Sequence, residues 1–101
     1  MSSIYTKADN QIAVQVGDDF VIELEANPTT GYEWQLEFDS GTLTLLNQVF
    51  KKKGGGIGAA GVQHFRFQAS TPGQTRIRAI YKRSWEASSL EEHTFIVKVG
   101  K

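Results

Sequence analysis

The sequence predicts an all-β fold, a sandwich of about seven strands, on three observations. Apolar and polar residues alternate with a period of two through most of the chain. Clusters of Gly, Pro, Asn, Asp and Ser break that alternation at the spacing expected of a sandwich. No segment carries the periodicity of an amphipathic helix. With 101 residues the chain is one domain's worth, 1–101, without a linker or an internal repeat.

The strands follow in order. Ile12, Val14 and Val16 alternate with polar residues and stop at Gly17-Asp18-Asp19. Phe20, Ile22, Leu24 and Ala26 alternate with Val21, Glu23 and Glu25, ending at Asn27-Pro28. Tyr32, Trp34, Leu36 and Phe38 alternate with Glu33, Gln35 and Glu37, ending at Asp39-Ser40-Gly41. Leu43 to Phe50 is apolar but less regular. Phe65, Phe67 and Ala69 alternate with His64, Arg66 and Gln68 and run into Ser70-Thr71-Pro72-Gly73. Ile77, Ala79 and Tyr81 form the next strand, and Phe95, Val97 and Val99 the last. Trp34 sits among inward residues and is expected in the core, whereas Trp85 lies outside the pattern, between Arg83 and Glu86.

Composition excludes several function classes. With 0 Cys there is no disulfide framework, thiolate metal site or cysteine nucleophile. The 11 basic and 11 acidic side chains balance, which argues against nucleic-acid binding by bulk charge. No apolar run reaches the roughly 20 residues of a membrane span. The opening residues lack the pattern of a secretion signal, so an intracellular, cytoplasmic location is expected, or a secreted or lysosomal one if the sequence is a mature form. The neutral total hides an asymmetry: residues 1–50 hold one basic and eight acidic side chains, residues 51–101 ten basic and three acidic. Cross-strand pairing between the halves is the expected meaning. A basic face built from Lys51 to Lys53, Arg66, Arg76, Arg78 and Arg83 is the alternative.

Three connections look like more than turns. Asn27-Pro28-Thr29-Thr30-Gly31 is compact: Pro28 fixes its φ, Gly31 can take a positive φ, and the short polar side chains can bond neighbouring backbone. Lys51 to Gly61 is long and glycine-rich, with Ile57 its one large apolar residue. The segment after Lys82 carries Arg83-Ser84-Trp85-Glu86, and Trp and Arg are enriched at binding hot spots.

Enzyme readings find little support. His64 and His93 are too few and wrongly spaced for a zinc site, and both read as exposed sheet residues. There is no Gly-x-Ser-x-Gly elbow to present a nucleophile. The glycine-rich loop lacks the Gly-Lys-Ser/Thr ending and the following helix of a phosphate loop. No metal and no cofactor are expected.

The residues do resemble a known family, the chagasin-type inhibitors of papain-like cysteine peptidases. Gly17-Asp18-Asp19-Phe20-Val21-Ile22-Glu23-Leu24 leads into Asn27-Pro28-Thr29-Thr30-Gly31-Tyr32-Glu33-Trp34, and Asn-Pro-Thr-Thr-Gly before an aromatic is highly specific. Gly58-Ala59-Ala60-Gly61 is similar to the family's Gly-x-Gly-Gly segment, with Ala60 in the third place. Arg83-Ser84-Trp85 is similar to its Arg-Pro-Trp motif, with Ser for Pro. The resemblance covers essentially the whole chain and implies an immunoglobulin-like sandwich that inhibits without catalysing. It further implies a peptidase-binding set of Asn27, Pro28, Thr29, Thr30, Gly31, Tyr32, Ile57, Gly58, Ala59, Ala60, Gly61, Arg83, Ser84 and Trp85. The implied partner is a papain-like, cathepsin-type cysteine peptidase, met by a monomer. Two other readings compete: an immunoglobulin-like adhesion or sugar-binding module using the same loops, and a hydrolase using His64 or His93.

Overall fold

The computed structural model describes residues 3–27, 30–52 and 61–101. Among them are eight strands: β1 Ser3–Thr6, β2 Gln11–Gln15, β3 Asp19–Ala26, β4 Tyr32–Phe38, β5 Leu43–Lys52, β6 Gly61–Ala69, β7 Gly73–Arg83 and β8 Glu91–Gly100. They form two four-stranded sheets, β1-β3-β6-β5 and β2-β8-β7-β4, packed face to face as an immunoglobulin-like sandwich. The pairs β1–β3 and β2–β8 are parallel and the others antiparallel. No helix long and apolar enough to cross a membrane occurs among the described residues.

The period-two pattern is what builds the core. Phe20, Ile22, Leu24 and Ala26 of β3 are buried, as are Phe65, Phe67 and Ala69 of β6, which pairs with it in the same sheet. Ile77 and Ala79 of β7 and Phe95, Val97 and Val99 of β8 close the core from the other sheet. Phe20 stacks on Phe67 at 5.5 Å between ring centres, and Phe38 meets Phe67 edge-on at 5.0 Å. Each fully buried side chain of this size contributes about 1.5–3 kcal/mol relative to exposure.

Two departures from the expected strands have local causes. The extra strand is β1, where only Tyr5 turns inward, edge-on to Phe20, while Ile4 and Thr6 are exposed. One inward side chain in four residues leaves no alternation to read. The irregularity of Leu43 to Phe50 is a bulge: the register with β6 shifts between Leu45 and Asn47, and Leu46 is left exposed.

The charge asymmetry resolves into pairing between halves. Acidic β3 lies beside β6, and acidic β4 beside β7. Arg78 bonds Glu37 at 3.1 Å on β4 and Glu92 at 2.8 Å on β8. The single basic face does not form: Lys51 and Arg66 belong to one sheet, Arg76 and Arg78 to the other. The hydrogen bond from Arg78, then that from Ser89, holds the Glu92 carboxyl below its usual 4.5. A depressed folded-state value means the contribution is present above 4.5 and lost as acid protonates the folded carboxyl. Glu92→Gln is therefore expected to flatten the fall of Tm with acidification below pH 4.5, read by calorimetry across that range.

The histidines are half-buried rather than exposed, and they lie on different sheets. His64 of β6 stands 3.8 Å from Glu23, and His93 of β8 contacts the Asp9 carbonyl at 2.8 Å and Phe95 edge-on. They share no site.

Candidate functional site

Strand register gathers the roots of the three motif loops at one end of the sandwich. Ala26 pairs with Gly61, and Gly61 with Lys52, which sets the root of the Asn27–Gly31 loop beside both roots of the glycine-rich loop. On the other sheet Tyr32 pairs with Arg83, and Tyr81 with Glu91, so the 84–90 loop rises beside the first. Pro28, Thr29, Ile57, Gly58, Ala59 and Ala60 lie outside the described residues. Asn27, Thr30, Gly31, Tyr32, Gly61, Arg83, Ser84 and Trp85 are described, and the fold brings them to this end.

The first loop is held from both sides. The Thr30 amide and hydroxyl both donate to the Asn27 carbonyl, at 3.2 and 2.8 Å, closing a four-residue turn. The Asn27 amide donates to the Tyr81 hydroxyl at 3.3 Å. Gly31 leaves the turn at φ +83, a conformation in which a Cβ would clash with its own backbone.

Arg83 ties the third loop to the first. Its Nε donates to the Thr30 carbonyl at 3.1 Å and its Nη1 to Glu86 at 3.3 Å. The guanidinium lies 4.5 Å over the Tyr32 ring and 5.9 Å from that of Trp85. Tyr32 stacks on Tyr81 at 5.3 Å and Tyr81 packs on Trp34 at 4.8 Å, so a ladder of rings runs from the buried Trp34 to the surface. The resemblance implies that Arg83 pairs with the peptidase; in the free chain its donors are directed at Thr30 and Glu86. Trp85 is 71 % exposed, outside the core as its position predicts. Its indole lies across Gly31, where an added Cβ would come 2.7 Å from Cη2.

Gly61 has a reason of its own. A Cβ there would run into the Lys51 carbonyl and the Phe50 ring, so the sheet itself demands glycine at this loop root. Two contributors were missed by motif reading. Tyr81 shows only as an inward strand residue, and its bond to Asn27 spans the chain. Gln63 signals itself more openly, because it is polar yet shares the face of Phe65 and Phe67; it is buried and bonded to the Trp34 backbone.

The described residues at this end form a surface that carries the exposed Trp85, and the histidines take no part in it. Comparison with known proteins agrees. Residues 13–99 match the family described as chagasin family peptidase inhibitor. Chagasin of Trypanosoma cruzi is 33% identical over 107 aligned residues, covering 96% of each chain. Amoebiasin-1 of Entamoeba histolytica is 30% identical, covering 99% of this chain and 98% of that one. The crystal structure of the cysteine protease inhibitor EhICP2 of the same organism superposes with a TM-score of 0.88, at 27% identity, over 97% of this chain and 95% of that chain. A two-sheet sandwich with three motif loops in order, matched along 13–99, places this chain in the chagasin family of peptidase inhibitors: it is an inhibitor and not an enzyme.

Proposed function

We propose that this inhibitor is a single domain acting as a reversible, non-covalent wedge on papain-like cysteine peptidases. Its loops 27–31, 57–61 and 83–85 occupy the active-site cleft together. The observation that carries this reading is the convergence of the loop roots at one end, with Trp85 exposed over Gly31. EhICP2, with which the chain shares its fold over nearly its full length, is a cysteine protease inhibitor.

The chemistry suits blockade rather than turnover. A peptidase cleaves an extended segment laid along its cleft, whereas the first loop is a turn closed by two donors from Thr30 to Asn27. It can cover the catalytic thiolate without aligning a peptide bond for attack. Because Tyr81 holds Asn27 and Arg83 holds Thr30 at the two ends of the loop, less conformational freedom is lost on docking. Trp85 offers a flat apolar surface for stacking on an aromatic at the rim of the cleft. With 0 Cys, the chain forms no mixed disulfide with its target. The same composition supports residence in a reducing compartment, which cell fractionation tests.

Titration of papain with the purified protein tests the proposal. Stoichiometric, dilution-reversible inhibition is expected, and full activity at micromolar excess of the protein would sink it. A second experiment concerns the third loop. The Glu86 amide donates to the Arg83 carbonyl at 3.1 Å, so Ser84 is the second residue of a β-turn, a position that favours Pro. Arg83 before it is strand backbone, the conformation a following Pro requires. Ser84→Pro is therefore expected to raise stability by about 0.4–1 kcal/mol and to tighten inhibition, measured by denaturant melts and Ki. Looser binding would show that this loop needs freedom at 84.

A further inference from the structure

The two sheets meet through apolar side chains, whose attraction has no direction and does not by itself fix how one sheet sits over the other. At the loop end a polar contact is added. Gln63 of β6 is 7 % exposed, and its Oε1 accepts from the Trp34 amide of β4 at 2.7 Å. Its Nε2 donates to the Trp34 carbonyl at 3.4 Å. β4 is the edge strand of its sheet, so the carboxamide takes the place of a missing neighbour at that edge. The Trp34 indole also reaches back across the sandwich, donating to the Glu25 carbonyl of β3 at 2.8 Å. Hydrogen bonds, unlike apolar contacts, have a preferred length and angle.

The placement of this latch matters. Gln63 lies two residues inside the strand that begins at Gly61, and Trp34 two residues inside the strand that begins at Tyr32. Each is about 7 Å of strand below a loop root. β6 leads out of the glycine-rich loop, and β4 out of the Asn27–Gly31 loop. Locking Gln63 to Trp34 thus ties together the roots of the two loops, as Arg83 ties the first to the third.

We propose that Gln63 is a positioning residue for inhibition: it touches no peptidase, but fixes the spacing at which the first two loops enter the cleft. This rests on the function proposed above. Its register partners, Leu24 and Phe50, and Trp34 opposite carry no titratable group, so the chemistry of position 63 can be varied cleanly. Gln63→Glu keeps the shape. As a carboxylate it cannot donate to the Trp34 carbonyl, whereas a protonated carboxyl restores one donor and one acceptor. Gln63→Met keeps the length and loses both bonds at every pH.

The experiment compares Ki for papain of the wild type, Gln63→Glu, Gln63→Met and Val97→Ala across the peptidase's working pH range. Far-UV circular dichroism checks that each variant is folded at the assay temperature. Near neutral pH, Gln63→Glu is expected to inhibit about tenfold more weakly than the wild type, the loss of one buried hydrogen bond. That gap should close toward acid, whereas the gap for Gln63→Met should stay constant. Val97→Ala, a buried truncation far from the loops, should lower Tm and leave Ki unchanged. If Gln63→Glu does not fold, Gln63→Met, which buries no charge, decides. Folded Gln63 variants with the Ki of the wild type, or a Gln63→Glu deficit that ignores pH, would overturn the proposal. A wild type that fails to inhibit overturns the functional reading itself, a different result.

Discussion

Replacement of Trp85 by Ala is expected to weaken inhibition by about 2 kcal/mol or more, roughly thirtyfold in Ki, with little change in Tm. In the free chain the indole is 71 % exposed, resting on Gly31 and within cation–π range of Arg83. Most of its surface is therefore in water before binding, and its removal deletes no core packing. Surface substitutions of this kind ordinarily change stability by no more than about 0.5 kcal/mol. A large flat side chain that becomes buried against a partner is the usual composition of a hot spot. Inhibition constants against papain, measured beside thermal melts, separate the two effects. A Tm that falls by several degrees while Ki holds would return Trp85 to the fold and remove it from the interface.

Gly31→Ala should approach that loss from the other side. The methyl group meets two obstacles: φ +83, which costs an L-residue about 1–2 kcal/mol, and the indole of Trp85. The turn must relax or the ring must lift, and either moves the first and third loops apart. An affinity loss of about 1–2 kcal/mol or more is expected, larger than the accompanying drop in stability. Because both substitutions act on one contact, the Gly31→Ala/Trp85→Ala double variant should bind more tightly than the sum of the single losses predicts. Strict additivity in that cycle would show that the indole does not act through Gly31.

Much of this was legible in the chain itself. A sandwich strand has one dry face and one wet face, so β3, β4, β6, β7 and β8 could be read from alternation. Trp34 and Trp85 separated cleanly into core and surface by whether they kept to that period. What stayed hidden is what alternation does not encode. The bulge at Leu46 breaks the period where it occurs, and β1 is too short to have one. The bond of Arg83 to Thr30 joins positions 53 residues apart, and that of Tyr81 to Asn27 spans 54; neither end announces the other. Gln63 lay between these cases. Its polarity on an apolar face was a legible signal that went unread, and only the sandwich could name Trp34 as its partner.

The interleaving of the two halves bears on when the molecule becomes an inhibitor. Of the strands in residues 1–50, only β1 and β3 pair with each other; β2, β4 and β5 wait for β8, β7 and β6. A growing chain that already contains the whole Asn27–Gly31 turn lacks the Tyr81 hydroxyl and the Arg83 guanidinium that hold it. In such a chain neither cross-strand bond to the ends of the turn has yet formed. Contacts this distant in sequence also form slowly, since long loops must close before any of them is gained. The two ends of the turn are therefore held only once β7, which follows it in the chain, has docked in its sheet.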